Sequence, residues 1–554
     1  AVEDERTVDA FGVGGDCDDD VSTIHPGALE YCNFIDDDCN GTVDDHAVDA
    51  PTWHEDADGD SYGNPAVTLA ECIIPIGFVA DNTDCDDTAD TTFPGAPEIG
   101  YDGEDNDCDD ILDEMTAADE ALWSVTGTFA APELGSKGVT SGGDVNGNGI
   151  DDLLVSAPLH NAAGRANCGA IAFHEAGDGV VPYTDGYLLV EGTRDALSGR
   201  SIVIGNVDDD SAPEIAHAGP AAAGGGARQG VVWIYDVDDL DGTRTAESIR
   251  EGRIRGHHTD DAVGTDLAAG DFSGDGLIEL IIGAPGDDEG EASIYEEGDG
   301  YMNSDLHHGN ATLQLEGEDE GDLMGSVVEN VGDVTGDGID DLVVCAPEHL
   351  VTWGDPRGVC WLFVQPVHAA DGDSKVDATE IAAATFTHSL SGDEFGQHPD
   401  TIAGADFLGT TTNQMAFGLP GTGTVLIHES SSWSGTYEPS DAVVSITGEG
   451  RLGHSLSGAI DLDRDGADDL LVGAPTTSLG SLFFLPHDSI IDDLVLPGAE
   501  SASWHGSWIG DGTGFSFSGL GDFDEDGALE FAIAAPQSDH AGSDAGQVWI
   551  LPAY

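Results

Sequence analysis

The sequence predicts an all-β chain: a seven-bladed β-propeller over residues 116–554, preceded over 1–115 by a small loop-rich domain held by disulfides and calcium. Three observations predict it. An acidic loop running into an apolar strand recurs seven times, on average about 63 residues apart. The strand after it most often ends in Ala-Pro, and no segment carries the 3.6-residue period of an amphipathic helix. Radial repetition of four-stranded sheets uses copies of this size and leaves only short edges open.

The acidic loops begin at Asp144, Asn206, Asp271, Asp333, Asp406, Asp461 and Asp522. An apolar–Gly pair or its relic stands before most of them, as in Leu134-Gly135, Val263-Gly264, Met324-Gly325, Phe395-Gly396 and Leu452-Gly453. The second strand follows the loop ("LLVSAP", "LIIGAP", "LVVCAP", "LLVGAP", "FAIAAP"), and a third apolar run comes after it, from "GAIAFHE" to "GQVWILP". A fourth segment lies between copies ("GYLLVEG", "ATLQLEG", "AVVSITG"), but the last copy stops after its third strand. A fourth-strand look-alike, "ALWSVTG" at 121–127, stands before the first copy instead, so the ring is expected to close by its pairing in the last blade.

Residues 1–115 obey another rule. "GDCDDDVSTIHPGALEYCNFIDDDCNGTVDD" at 15–45 recurs as "TDCDDTADTTFPGAPEIGYDGEDNDCDDILDE" at 83–114, with "DADGDSYGNP" between them. Apolar residues are too sparse for a core, which leaves cross-links and metal to hold the fold. Six of the nine cysteines lie at 17–108 with no CxxC pair, a pattern that favours disulfides over zinc and implies export. If the spacer cysteine takes the middle cysteine of the copy before it, the pairs are Cys32–Cys72, Cys17–Cys39 and Cys85–Cys108. Cys345 and Cys360 fall on neighbouring strands of the fourth blade and are expected to bridge, leaving Cys168 as a buried thiol.

Composition bounds the partners. The 110 acidic residues outnumber 14 basic ones for a net charge of −96, which repels nucleic acid and anionic membranes and attracts cations. No run approaches the ~18 apolar residues of a spanning helix, so no membrane insertion is expected within this chain. Ala1 opens no basic-then-apolar leader, and the sequence reads as a mature exported product.

In the first acidic loop Asp144, Asn146, Asn148 and Asp152 occupy positions 1, 3, 5 and 9, and Ile150 offers a backbone carbonyl at position 7. Ca²⁺ wants six to eight such hard oxygens in flexible geometry. An EF-hand would place glutamate at position 12 before a helix; here Val155 lies in a strand, so position 9 must close the shell. The matching sets are Asp271, Ser273, Asp275, Leu277, Glu279; Asp333, Thr335, Asp337, Ile339, Asp341; Asp461, Asp463, Asp465, Ala467, Asp469; and Asp522, Asp524, Asp526, Ala528, Glu530. Asn206, Asp208, Asp210 and Glu214 keep the oxygens but lose the position-6 glycine, and the fifth copy, with Leu408 and Thr410 at ligand positions, is expected to be empty. Asx turns alone would need no ion, but they do not explain five full matches on one period. In the N-terminal region the same alternation gives Asp36, Asp38, Asn40, Thr42, Asp44; Asp56, Asp58, Asp60, Tyr62; and Asp105, Asp107, Asp109, Ile111, Asp113. Asp16, Asp18, Asp84 and Asp86 flank cysteines, with Glu30 and Glu98 placed to reach back.

With these motifs in hand, residues 118–554 resemble the FG-GAP repeats of integrin α-subunit propellers, on the apolar-Gly pair, the DxNxDGxxD loop and the Gly-Ala-Pro close. The resemblance implies seven blades with calcium in several of them. Residues 15–114 look like the MopE-type metal-binding repeat of bacterial exported proteins. No von Willebrand-type domain interrupts the blades, so ligand capture through one does not carry over. The copper binding associated with the second family maps onto no residue set, since Trp53-His54 reads better as a strand end.

The leading expectation is a non-enzymatic, calcium-binding adhesion or recognition protein, extracellular or on a cell surface, with a protein or glycan ligand on a propeller face. A structural subunit of a surface layer or filament, formed by self-assembly, is the second. A calcium-dependent polysaccharide-active enzyme is the third; the arginines at 194, 200, 228, 250, 253 and 255 are its one supporting cluster, while GxSxG, HExxH and a phosphate loop are all missing. His257-His258 reads as a polar loop before blade three.

Overall fold

The computed structural model describes residues 17–553 apart from 19, 97–104, 109–113, 128–132, 137, 142, 149–150, 163, 176–178, 208–212, 224–227, 238–239, 297–303, 353–354, 357, 367–373, 389–391, 411–412, 491–492, 497–501, 524–527 and 540–543. By contacts the chain divides into two compact units, Ala1–Asp113 and Glu114–Tyr554.

The first unit holds one three-stranded sheet, with Thr52–Glu55 between Asn64–Ala70 and Phe78–Val79. Among its described residues only Ile24 and Ala96 are buried apolar side chains, while Leu29, Phe34, Ile73 and Ile76 face solvent. Burial this small supplies little hydrophobic stabilisation. Three disulfides, Cys17–Cys39, Cys32–Cys72 and Cys85–Cys108, do that work instead.

The second unit is all-β and propeller-like, with seven five-stranded sheets among its described residues. In the first, Val139–Ser141, Asp152–Ala157, Ala170–Glu175 and Leu188–Glu191 run antiparallel in succession. A fifth strand, Gly242–Thr245, then adds parallel to Leu188–Glu191. That strand belongs to the next sequence repeat, and Asp305–His307, Lys375–Asp377, Gly435–Tyr437 and Leu494–Leu496 repeat the arrangement on the next four sheets. The sixth and seventh sheets take theirs from Glu114–Thr116 and Gly179–Pro182. Trp123–Thr126 pairs antiparallel with Gln547–Ala553, from Thr126 opposite Gln547 to Trp123 opposite Ile550. The four-strand repeat read from sequence is therefore one strand short: the parallel strands are brief, half polar and carry no alternation to find.

The core lies between neighbouring sheets. Leu153 and Val155 pack with Val548 and Ile550 of the seventh sheet, whereas Leu154 packs with Ile215 and Trp233 of the second. Successive side chains of a strand point to opposite faces, so a sheet covered on both sides reads as an unbroken apolar run. The apolar–Gly pair has a steric cause. Gly264 has φ +79°, its N–H donates to the Gly283 carbonyl at 2.9 Å, and a Cβ there would stand 2.6 Å from the Ala218 Cβ of the preceding sheet. Only glycine combines that backbone angle with that approach. Cys345 and Cys360 sit directly opposite on adjacent strands, disulfide-bonded with Cα atoms 4.0 Å apart, and Cys168 is a buried free thiol.

The first strands of six sheets, together with Pro399 and Asp400 just ahead of the first strand of the fifth, line one cavity of about 400 Å³, among others through Thr140, Glu329, Ser457 and Ser518, with Arg200, Asp266 and Asp400 beside them.

Candidate metal centres

Each acidic loop links the first strand of a sheet to its second, and its position-9 residue opens that second strand in six sheets and is the second residue of Leu529–Ala535 in the seventh. Asp152, Asp341 and Asp469 open the strands Asp152–Ala157, Asp341–Ala346 and Asp469–Ala474, and all three are 0% exposed; Glu279 is 1% exposed. Each carboxylate accepts a backbone N–H from its own loop. The donors are Val145 to Asp152 Oδ2 at 3.0 Å, Phe272 to Glu279 Oε2 at 2.7 Å, Thr335 to Asp341 Oδ2 at 3.0 Å, and Leu462 to Asp469 Oδ2 at 2.7 Å. Val207 donates likewise to Glu214 at 2.7 Å and Phe523 to Glu530 at 2.6 Å. The position-2 side chains Val145, Phe272, Val334, Leu462 and Phe523 are buried apolar anchors that fix the loop to the core. Sequence reasoning missed them, although an apolar residue at position 2 of every copy was a readable signal.

The position-1 carboxylates organise the turn. Asp333 accepts from Gly336, Asp337 and Gly338, Asp271 from Gly274 and Gly276, and Asp461 from Asp465 and Gly466, all between 2.6 and 3.0 Å. In the first loop the Asn148 N–H donates to Asp144 at 2.9 Å and to Asn146 at 3.1 Å. Asp275, Asp337 and Asp465 each accept the N–H two residues on, from Leu277, Ile339 and Ala467. One further acid, unread from sequence, joins the first loop: Glu175, at the end of the third strand, accepts from the Asn148 side-chain amide at 2.7 Å.

The fit to a hard cation rests on the position-9 oxygens. Asp341 Oδ1 and Asp469 Oδ1 are buried and have no hydrogen-bond partner. Burial pushes Asp152, Glu279, Asp341 and Asp469 up to about 7, against the pull of their donors. No ion pair to a basic side chain reaches these four among the described residues. A buried carboxylate without a counter-charge is costly. The fifth loop shows the neutral solution: Gln414, 0% exposed, takes the same N–H from Leu408 at 3.0 Å and gives its own amide to Thr410 Oγ1 at 2.9 Å. Position 9 of that loop is thus satisfied with no buried charge to balance.

In the first unit Glu30, Asp36 and Asp38 bring carboxylate oxygens within 4.8 Å of one another, as do Asp56, Asp58 and Asp60. Glu30 Oε2, Asp58 Oδ2, Asp60 Oδ2 and Asp84 Oδ2 are buried and unpartnered. Asn40 and Gly41 donate to Asp36, Thr42 to Asn40, and Asp44 takes the N–H groups of Asn33 and Phe34. Two placements differ from the sequence reading. Asp84 joins the spacer loop, where Asp58, Asp84 and Asp87 converge, and Asp86 instead closes an Asx turn on Thr88. The burial pattern selects the buried Asp87, 7% exposed, over the half-buried Asp86, which sequence alternation could not do. Burial first, then the charges of Asp60, Asp58 and Asp87, lift Asp84 to about 6. Tyr62 stacks on Phe93 at 5.2 Å. Asp18 accepts from Asp20, and Asp105 and Asp107 lie beside the Cys85–Cys108 bridge. Asp16, Glu98, Asp109, Ile111, Asp113, Ile150, Asp208, Asp210, Asp524 and Asp526 lie outside the described residues.

Family models match parts of both units. The FG-GAP repeat family model matches residues 138–172 and 513–551, and the MopE-type metal-binding motif matches 16–45 and 84–114. The chain therefore carries both repeat types. Its relatives include integrin α subunits, among them integrin alpha-IIb of Mus musculus, 33% identical over 38% of this chain and 20% of that protein. A phosphatidylinositol-glycan-specific phospholipase D of Dictyostelium discoideum is 23% identical over 40% of this chain and 18% of its own length. The chain thus spans about a fifth of these relatives. A solved Dos1 propeller covers 73% of this chain and 76% of its own at TM-score 0.38 and 7% identity.

Proposed function

We propose that this chain is an extracellular, calcium-stabilised adhesion or recognition module whose seven sheets close into a seven-bladed propeller. The observation that carries the calcium reading is the contrast at position 9: buried carboxylates in the loops that keep their ligands, with partnerless oxygens on Asp341 and Asp469, and a self-satisfied Gln414 in the loop that lost them. Asp144, Asp271, Asp333, Asp461 and Asp522 with their loop partners would hold Ca²⁺, as would Glu30 with Asp36 and Asp38, and Asp56, Asp58 and Asp60 with Asp84. The ion's role there is charge neutralisation: it lets the acidic turn and the strand beside it coexist. Support for closure comes from the Trp123–Thr126 pairing with Gln547–Ala553 and from a cavity lined by residues in or just before the first strand of each of the seven sheets.

Recognition is the reading favoured by the integrin α relatives, and the disulfides suit an oxidising, extracellular setting. Three of the six arginines behind the enzymatic reading are held in ion pairs: Arg250 and Arg253 by Glu247, and Arg253 and Arg255 by Asp305. The test is solid-phase binding of the labelled chain to extracellular-matrix proteins and glycans in Ca²⁺ and after chelation. Saturable binding that needs Ca²⁺ supports the module; hydrolysis of any presented glycan would replace it.

A further inference from the structure

The third sheet carries a cluster of a different chemistry, away from the acidic loops. His258 and Asp261 lie on the connection between Gly252–Arg255 and Leu267–Gly270. Asp287 and Glu291 lie at and after the turn that leads into Glu291–Tyr295, and His308 lies on the way to Leu313–Glu316. Ligand atoms of Asp287, Glu291 and His308 stand within 4.8 Å of one another, and so do those of His258, Asp261 and Asp287. Asp287 is common to both sets: Oδ2 is 2.9 Å from His308 Nε2 and Oδ1 is 3.7 Å from His258 Nδ1.

Three features separate this cluster from a turn-forming His–Asp pair. Glu291 is 2% exposed at the first position of the third strand, opposite Ala284. The same register position, opposite the alanine of Ala-Pro, holds Ala170, Val359 and Ser481 in other sheets, so the fold does not require an acid there. Glu291 is also held from outside, by Gln314 Nε2 at 2.7 Å on one oxygen and by the Ser293 hydroxyl on the other. Finally, His308 is 2% exposed, and its Nδ1 is buried with no hydrogen-bond partner while Nε2 faces Asp287. Nε2, the ring nitrogen aimed at Asp287, is the one placed to give its electron pair to a transition ion among these carboxylates, the proton then residing on Nδ1.

We propose that His258, His308, Asp287 and Glu291, with Asp261 behind them, form a binding site for a borderline divalent transition ion of the Zn²⁺ class. Imidazole with carboxylate suits such an ion, whereas the all-oxygen acidic loops suit Ca²⁺. Ligands at about 2.1 Å from an ion lie at most about 4.2 Å apart, so the two triads need only small side-chain adjustments to share one. Gln314 and Ser293 are the outer partners that orient a ligating carboxylate. The site stands independently of whether the acidic loops hold calcium.

The test uses the whole chain in excess Ca²⁺, which keeps the oxygen loops engaged, with Zn²⁺ measured by equilibrium dialysis and Co²⁺ by its visible d–d absorption. The expected result is a Zn²⁺ equivalent that Ca²⁺ does not displace and a Co²⁺ spectrum showing nitrogen ligation. His308→Gln should abolish both. His258→Gln, a change at a side chain 64% exposed that the fold does not need, should weaken Zn²⁺ binding by at least about 10-fold, and Gln314→Ala by about 10-fold. His349→Gln, which removes the analogous histidine beside Asp322, should change nothing. Zn²⁺ binding that is absent, displaced by Ca²⁺, or equal in wild type and His258→Gln overturns the site.

Discussion

Replacing Asp341 with asparagine should stabilise the second unit when calcium is chelated and destabilise it when calcium is present. The side chain is 0% exposed, and burial lifts its carboxyl to about 7 from the ordinary 3.8. The metal-free fold binds a proton there more tightly than the unfolded chain does. Its stability from this group is therefore present below about pH 4 and is lost as pH rises through 7. A difference of about three pKa units corresponds to about 4 kcal/mol at pH 8. Asparagine keeps an oxygen for the Thr335 N–H and removes the charge, so most of that cost should vanish. At about 2.1 cal/mol/K of unfolding entropy per residue, a unit of this size converts 4 kcal/mol into a rise in Tm on the order of 4 °C. With calcium the sign reverses, because the cation that offsets the charge has lost a ligand. Calorimetry of wild type and Asp341→Asn at pH 5 and pH 8, with and without chelator, reads all four corners. An equal loss of Tm in calcium and in chelator, with an unchanged pH dependence, would refute the argument and make Asp341 a plain hydrogen-bond acceptor.

Gln414→Glu is the mirror experiment: it places a buried charge in the loop that lacks ligands, and it should lower Tm in calcium and in chelator alike. Loops at 461 and 522 offer four loop carboxylates each and the loop at 144 only two, so calcium should leave the first before the others; titration of Asp144→Asn against Asp461→Asn, each silencing one site, gives the order. Val125→Asp, at a position 0% exposed in the pairing of Trp123–Thr126 with Gln547–Ala553, should cost at least about 3 kcal/mol and raise hydrogen exchange first in the seventh sheet. Reduction should unfold the first unit, seen as rapid proteolysis within 17–113, while loss of Cys345–Cys360 by double alanine substitution costs the second about 3 kcal/mol.

The period, the second and third strands and the tight acidic turns were legible because each obeys a local rule. Apolar runs such as Leu153–Val155 announce two covered faces, and Asp333 to Asp341 announces a turn that gathers oxygens. The chain-end pairing was legible from counting, since the last copy lacked a fourth strand and 121–127 resembled one. What stayed hidden depends on tertiary neighbours. Gly242–Thr245 is a strand because Leu188–Glu191 has a free edge, not because its sequence prefers one. Asp87 rather than Asp86 faces Asp58 because of where Ala57 presents its N–H, at 2.7 Å from Asp87. Glu175 and the His258–His308 cluster join residues from separate strands and connections, beyond the reach of any loop motif.

The parallel outer strands mean that a repeat in the sequence is not a repeat in space. Every sheet is finished by chain borrowed from a neighbouring copy, so no copy can be cut out or duplicated without leaving two others ragged. For the seventh sheet the lender is the start of the unit, and the Gln547 amide reaches the Ser124 hydroxyl across 423 residues of sequence. Trp123–Thr126 must wait for its partner Gln547–Ala553, at the far end of the unit, to be made. Assembly of this unit is consequently completed at its seam, once the rest of its sheets are in place.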